Sequence, residues 1–224
     1  MSTRYLLPLI IGVSSIPTAP AAILSLDFGH VDTGTPSPLQ SGFQAMSNQS
    51  QAFSTTAVSS GSISVSFTQQ GTRDRGTPNA DNGAFTYDEL HRDLFTGLAE
   101  TASDGTGNTT FSLSGLDANT DYVIQIWSYD SGFNPGAEYD WFDLSNGTPV
   151  LIGEITNSNS APTSNEQYSF TATVTSNASG ELLFGQHDPD GTGSINALIL
   201  SAVPEPGTFA LSLCGLLAFA RRRR

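Results

Sequence analysis

Along most of this chain, apolar and polar residues alternate with a period of two rather than the 3.6 of a helix. Ser62 to Thr68 reads Ser-Ile-Ser-Val-Ser-Phe-Thr, which puts Ile63, Val65 and Phe67 on one face and small polar side chains on the other. Thr109 to Leu113 repeats the pattern with Phe111 and Leu113. In Gln167 to Thr175, alternation turns Tyr168, Phe170, Ala172 and Val174 inward and the threonines outward. Ile23 to Phe28, Asp121 to Tyr129, Val150 to Thr156, Glu181 to Gln186 and Ser194 to Ala202 complete the predicted strands. Asp121 to Tyr129, rich in Tyr, Val, Ile and Trp, is the best central strand. Gly, Asn, Asp and Ser punctuate the gaps. The fold class that follows is all-β: an antiparallel β-sandwich, one domain over residues 22–202.

Both ends break the alternation. Met1 to Ala22 carries Arg4, an apolar stretch from Leu6 to Val13, and small residues ending Ala19-Pro20-Ala21-Ala22. That order predicts a secretory signal peptide over residues 1–21, cut after Ala21. A first β-strand over Leu9 to Val13 is the competing reading. At the other end, Val203 to Arg224 joins a Pro-Glu-Pro turn, an apolar segment from Phe209 to Ala220 predicted as a helix, and four arginines. Pro204 and Pro206 stop the preceding strand by removing backbone donors. The arginines resist crossing a bilayer and hold their end on the cytoplasmic side.

Pro204, Glu205 and Pro206, flanked by Val203 and Gly207, together with Arg221, Arg222, Arg223 and Arg224, closely resemble the PEP-CTERM sorting signal of bacterial surface proteins. The resemblance implies export, transient anchoring in the inner membrane, cleavage by an exosortase-type membrane peptidase, and a destination in the cell envelope or a polysaccharide-rich extracellular matrix. The apolar segment departs from a full membrane span. Its twelve residues fall short of the roughly 20 that a bilayer helix needs, and snorkelling arginines recover part of the difference. The competing reading is a buried C-terminal helix, which sits poorly beside a terminal run of arginines.

Charge narrows the partners. The chain has no lysine, and residues 22–202 set three arginines against twenty carboxylates, a balance of −17. Such a domain repels phosphate backbones, which excludes nucleic acid as a partner. The single cysteine, Cys214, lies in the apolar tail, so the domain has no disulfide, zinc-thiolate site or thiol nucleophile.

Candidate chemistry is sparse. His30, His91 and His187 stand far apart, outside any HExxH motif or Gly-x-Ser-x-Gly elbow, and chance alone brings some of twenty acids together. The expectation is that the protein is not an enzyme. Asp188-Pro189-Asp190-Gly191-Thr192-Gly193 places Asp188 and Asp190 two apart before glycines, a loop able to curl around calcium; a plain Asp-Gly turn explains the same letters. Asp104-Gly105-Thr106-Gly107-Asn108 reads as a turn. Arg73, Arg75 and Arg92 are expected to pair with acids.

Between positions 127 and 142, six aromatic residues crowd around two turns. Trp127, Tyr139 and Trp141, with Asp130, Asn134 and Asp140 as hydroxyl partners, form a candidate carbohydrate site, since ring faces stack on sugars. The same rings also suit a core. The order of Leu26-Asp27-Phe28-Gly29, Arg73-Asp74-Arg75-Gly76, Asn119-Thr120-Asp121-Tyr122-Val123 and Ile195-Asn196-Ala197-Leu198-Ile199 resembles the malectin-like and galactose-binding-like jelly rolls. That resemblance implies a jelly-roll sandwich and a non-catalytic role beside polysaccharide. A structural or adhesive matrix protein without ligand, and a carbohydrate-active enzyme, are the rival classes.

Overall fold

The computed structural model describes residues 22–28, 31–32, 35–36, 39–46, 54–60, 62–69, 71–75, 89–96, 103–106, 110–132, 135–158, 160–189 and 193–203. The predicted signal peptide, most of the sorting signal and its apolar segment lie outside these residues. Sixteen strands follow in order: β1 (Ala22–Asp27), β2 (Val31–Asp32), β3 (Thr35–Pro36), β4 (Gln44–Ala45), β5 (Ser54–Ser60), β6 (Ile63–Gln69), β7 (Gly71–Asp74) and β8 (Asp93–Thr96); then β9 (Thr110–Ser114), β10 (Asp121–Trp127), β11 (Glu138–Asp143), β12 (Val150–Thr156), β13 (Ser169–Thr175), β14 (Leu182–His187), β15 (Ser194–Ile195) and β16 (Ala197–Ala202). One 3-10 turn, Glu89–His91, precedes β8. Among the described residues no helix is long and apolar enough to cross a membrane.

Two sheets face each other, ordered β13-β10-β16-β1-β4 and β12-β11-β14-β9-β6-β5, with a small β15-β8-β7 sheet at one end and a β2-β3 ribbon. Pairing in the two large sheets is antiparallel except for the short β1–β4 contact. The sandwich expected from alternation is therefore present. β10 is central, as its composition predicts, and so is β16, which lies between β10 and β1. Their inward residues Ile124, Ile126, Leu198 and Leu200 are fully buried. Val65, Phe67, Phe111, Leu113, Leu182 and Phe184 face them from the other sheet. Phe111 stacks on Phe184 at 4.8 Å between ring centroids and meets Trp141 edge-on at 6.3 Å, arrangements favoured by the ring quadrupole.

At the β12/β13 edge the sandwich is closed by a side chain rather than a strand. The Phe170 ring lies directly on the backbone of Gly153, where any Cβ would collide with it. Glycine at 153 thus lets an aromatic from one sheet seal the margin of the other.

The antiparallel order sorts the connections into two poles. Ala22 pairs with Ser201 and Tyr122 with Ala202, so the chain enters β1 and leaves β16 at one pole. The turns 115–120, 144–149 and 176–181 share that pole. Of the described residues, the opposite pole carries Phe28, 39–43, 128–132, 135–137, 157–158, 160–168, 188–189 and Gly193.

One buried carboxylate sits where β1 reaches the opposite pole. Asp27 Oδ2 accepts a hydrogen bond from the Gln40 amide at 2.8 Å, while Oδ1 meets no donor among the described residues. Burial pushes its pKa up to about 7, opposed by the Gln40 bond and reinforced by the charge of Glu89. The folded protein therefore keeps a proton between the ordinary carboxylate value and neutrality, where the unfolded chain has released it. Stability contributed by this group falls as pH rises through that window and is lost above the folded value. Asp27→Asn is expected to flatten this dependence, so that urea midpoints at about pH 5 and about pH 8 differ less than in the parent. Parallel profiles for parent and variant would show that Asp27 does not titrate in that range.

Candidate functional site

The aromatic-rich stretch splits between an inward and an outward face. β11 is a half-buried strand in which Tyr139 and Trp141 point inward and Glu138, Asp140 and Phe142 point outward. Trp127, Tyr139 and Trp141 are each at most 1% exposed. Their ring faces are covered by protein, and the stacking platform expected from the sequence is not formed. The cause is the period-two alternation itself, which turns both large rings of β11 into the core. Trp127 Nε1 donates to the Asn165 carbonyl at 2.7 Å, and Trp141 Nε1 donates to Ser128 Oγ at 3.1 Å. Both indoles are satisfied inside the fold.

Asp130, the first of the predicted hydroxyl partners, is a structural knot. Arg75 Nε donates to its Oδ1 at 2.7 Å and the terminal guanidinium nitrogen to its Oδ2 at 2.9 Å, a bidentate pair. Gly132 N adds a third bond to Oδ1 at 2.8 Å. Asn157 brackets the Asp130 backbone, accepting from its N and donating to its carbonyl. The guanidinium lies flat over Gly132, where a Cβ would strike it. The hydrogen bond to Asp130 is the main reason that the Arg75 pKa is raised. Arg92 likewise meets Glu89 at 4.0 Å and Asp93 at 3.8 Å, so the pairing expected of these two arginines is present. Asn134 lies outside the described residues.

Around Gln186, Asp188 and Ser194 the arrangement is polar and closed. Gln186 Nε2 donates to the Ser194 carbonyl at 2.9 Å, and Ser128 Oγ donates to the same oxygen at 2.8 Å. The Tyr139 phenol is fully buried nearby, and burial raises its pKa. Asp188 is 1% exposed and faces this interior rather than a solvent-filled loop. Asp190 lies outside the described residues. Among the described residues no three His, Cys, Asp or Glu side chains come close enough to hold a metal. Asp104 forms a turn, as expected, accepting from Thr106 N at 3.0 Å and Oγ1 at 2.5 Å.

Of the three histidines only His91 and His187 are among the described residues; His30 lies outside them. His91 is buried edge-on against Tyr129 and Tyr168, with Nε2 3.2 Å from the Gln167 carbonyl. His187 is paired with Asp140 across β14 and β11.

The outward face of the six-stranded sheet carries the accessible polar chemistry at the far end of β11. Asp140 stands directly opposite Glu154 of β12, with Glu138 two residues along the same face. A shallow trough there is lined by Glu138, Asp140, Glu154, Ile155 and Thr156. Burial first, then the neighbouring Glu154 charge, raises the Asp140 pKa. Like charges directly opposite on paired strands repel, so this trough favours a partner that donates hydrogen bonds or carries positive charge. Pairing of Asp140 with Glu154 was invisible in the sequence, because the register of β11 on β12 includes a bulge after Trp141.

Several solved structures are similar to this chain at low identity. A Bacteroides uniformis β-glucuronidase aligns over 80% of this chain at 12% identity and a TM-score of 0.44, but the chain spans only 18% of that enzyme's length. The CBM22-1 xylan-binding domain of Paenibacillus barcinonensis Xyn10C aligns over 84% of this chain and 98% of its own, at 14% identity and a TM-score of 0.36. The ANXUR1 extracellular domain of Arabidopsis thaliana aligns over 80% of this chain and 47% of its own, at 11% identity and a TM-score of 0.42. No curated protein matches the chain. The family comparison is specific: residues 202–224 match the PEP-CTERM protein-sorting motif, beginning on the last residue of β16, and mark this chain for export to the cell envelope or beyond.

Proposed function

We propose that this chain is an exported bacterial surface or matrix protein whose β-sandwich is a non-catalytic module, anchored transiently through its C-terminal segment and released by an exosortase-type membrane peptidase. The observation that carries this reading is the sorting motif over residues 202–224. An exported domain without cysteines has no disulfide to hold it, in keeping with its packed aromatic core and the satisfied indoles of Trp127 and Trp141. Replacement of Pro204, Glu205 and Pro206 by alanine is expected to leave uncleaved, membrane-retained protein, read as a larger band in the membrane fraction. Release of the variant at the parental rate would remove the sorting signal from this account.

A second reading, polysaccharide binding, rests on the outward trough of Glu138, Asp140 and Glu154. Carboxylates on an open sheet face accept hydrogen bonds from sugar hydroxyls, and isolated sites of this kind bind at about −4 kcal/mol, so a repetitive surface polymer gains by multivalency. The mature protein should then be retarded in gels containing the host's exopolysaccharide. An Asp140→Asn, Glu154→Gln double variant should run ahead of it, while the buried control Tyr139→Phe should not. If parent and double variant migrate alike in every polysaccharide, the module is structural.

A further inference from the structure

The outward face of the six-stranded sheet is divided lengthwise. Its acids, Glu138, Asp140 and Glu154, occupy the half toward the pole of residues 128–132 and 188–189. The other half carries an apolar strip beside the outward serines of β9 and β6. Leu151 pairs with Phe142 on this face, and beside them a groove of about 310 Å³ is lined by Leu144, Pro149, Leu183 and neighbouring threonines. Among the described residues five large apolar side chains are exposed: Ile23, Leu39, Val150, Leu151 and Val203. Four of the five, all but Leu39, sit toward the pole at which β1 begins and β16 ends. The turn that shares the groove, Leu144 to Pro149, carries no charge.

The sorting motif begins at the same pole, with almost no spacer in the sequence. The motif begins at residue 202, where Ala202 is still paired with Tyr122 of β10, and Val203 is the last described residue before Pro204. A domain tied to a bilayer through this point cannot swing far from it.

We propose that the pole bearing Ile23, Val150, Leu151 and Val203 rests on the bilayer surface while the chain is anchored, with the acidic trough held away from the membrane. This rests on the sorting reading above. Apolar side chains at a polar rim suit the interfacial zone, where binding grows with the apolar area buried. The pole itself also carries the exposed Asp117, Asp121 and Glu181, so the contact rests on the apolar side chains and the short tether rather than on charge.

The test uses the full chain reconstituted into phosphatidylethanolamine and phosphatidylglycerol vesicles. With Cys214→Ser as background, single cysteines are placed by Leu151→Cys, Val150→Cys or Leu39→Cys and labelled with a polarity-sensitive fluorophore. Quencher-bearing lipids are expected to quench the probes at 151 and 150 several-fold more than the probe at 39, with a blue shift only at the first two. Equal quenching at all three sites, or none, in vesicle-bound chain would overturn the orientation and leave anchoring intact. Chain that fails to enter vesicles at all would overturn the anchoring reading and the orientation with it.

Discussion

The structure depends on β16 being held, without any covalent cross-link, at the centre of the five-stranded sheet. Asn196, immediately before it, makes this possible. Its N donates to the Trp127 carbonyl at 2.9 Å, its carbonyl accepts from Phe28 N at 2.8 Å, its Oδ1 accepts from Tyr129 N at 2.6 Å, and its Nδ2 donates to the Asp93 carbonyl at 2.8 Å. One fully buried residue thereby ties together the ends of β1 and β10 and the start of β8. A buried amide is tolerated only when its bonds are made, and here four converge on one side chain and its backbone. β16 then runs from that knot to the sorting motif, so the best-fixed strand is also the one on which the signal hangs.

An exported domain with no disulfide must take its stability from burial, and this one does so with rings. Phe28, Phe67 and Phe95 pack with centroid separations of 5.3 to 5.8 Å, and Phe67 joins them at 6.5 Å to Phe111, which packs on Trp141 and Phe184. Tyr129 stacks on Tyr168 at 4.6 Å, although Tyr168 is held at a φ of 58°, a costly conformation for a bulky residue. Its hydroxyl donates to the Ser160 carbonyl at 2.8 Å, which helps to fix it. Rings committed in this way stabilise the fold and leave little aromatic surface for a ligand.

Strand identity was legible because alternation is a local property. Ile63, Val65 and Phe67 face inward, Thr171, Thr173 and Thr175 outward, and β10 is central, all as the residues predict. β5, β7, β8 and β11 escaped notice, as did the two-residue β2, β3 and β4: β5 is a run of Ser and Thr with little apolar contrast, β7 and β8 are four residues long, and β11 lies in the aromatic stretch read as a candidate ligand site. The aromatic stretch misled because composition marks it as binding, whereas phase marks Tyr139 and Trp141 as core. Asp27 and Asn196 could not be singled out. Their roles come from partners 13 and 103 residues away, Gln40 and Asp93, and nothing local encodes those distances.

The two faces of β11 separate fold from function within six residues. Inward, Tyr139 and Trp141 are locked by packing, and losing a buried ring typically costs about 3–5 kcal/mol. Outward, Asp140 opposes Glu154 at a cost of roughly 0.2–1 kcal/mol, which the inward packing of the same strand easily offsets. A strand so well held can carry unfavourable chemistry on its open side without unfolding. The positions left open to a partner are those that alternate with the core: Glu138 and Asp140 on the acidic half of the face, Phe142 and Leu151 beside the apolar strip. The division runs along the strand axis, and that axis also carries the chain to its point of attachment. Fold, signal and surface chemistry share one direction, set by which pole β16 leaves.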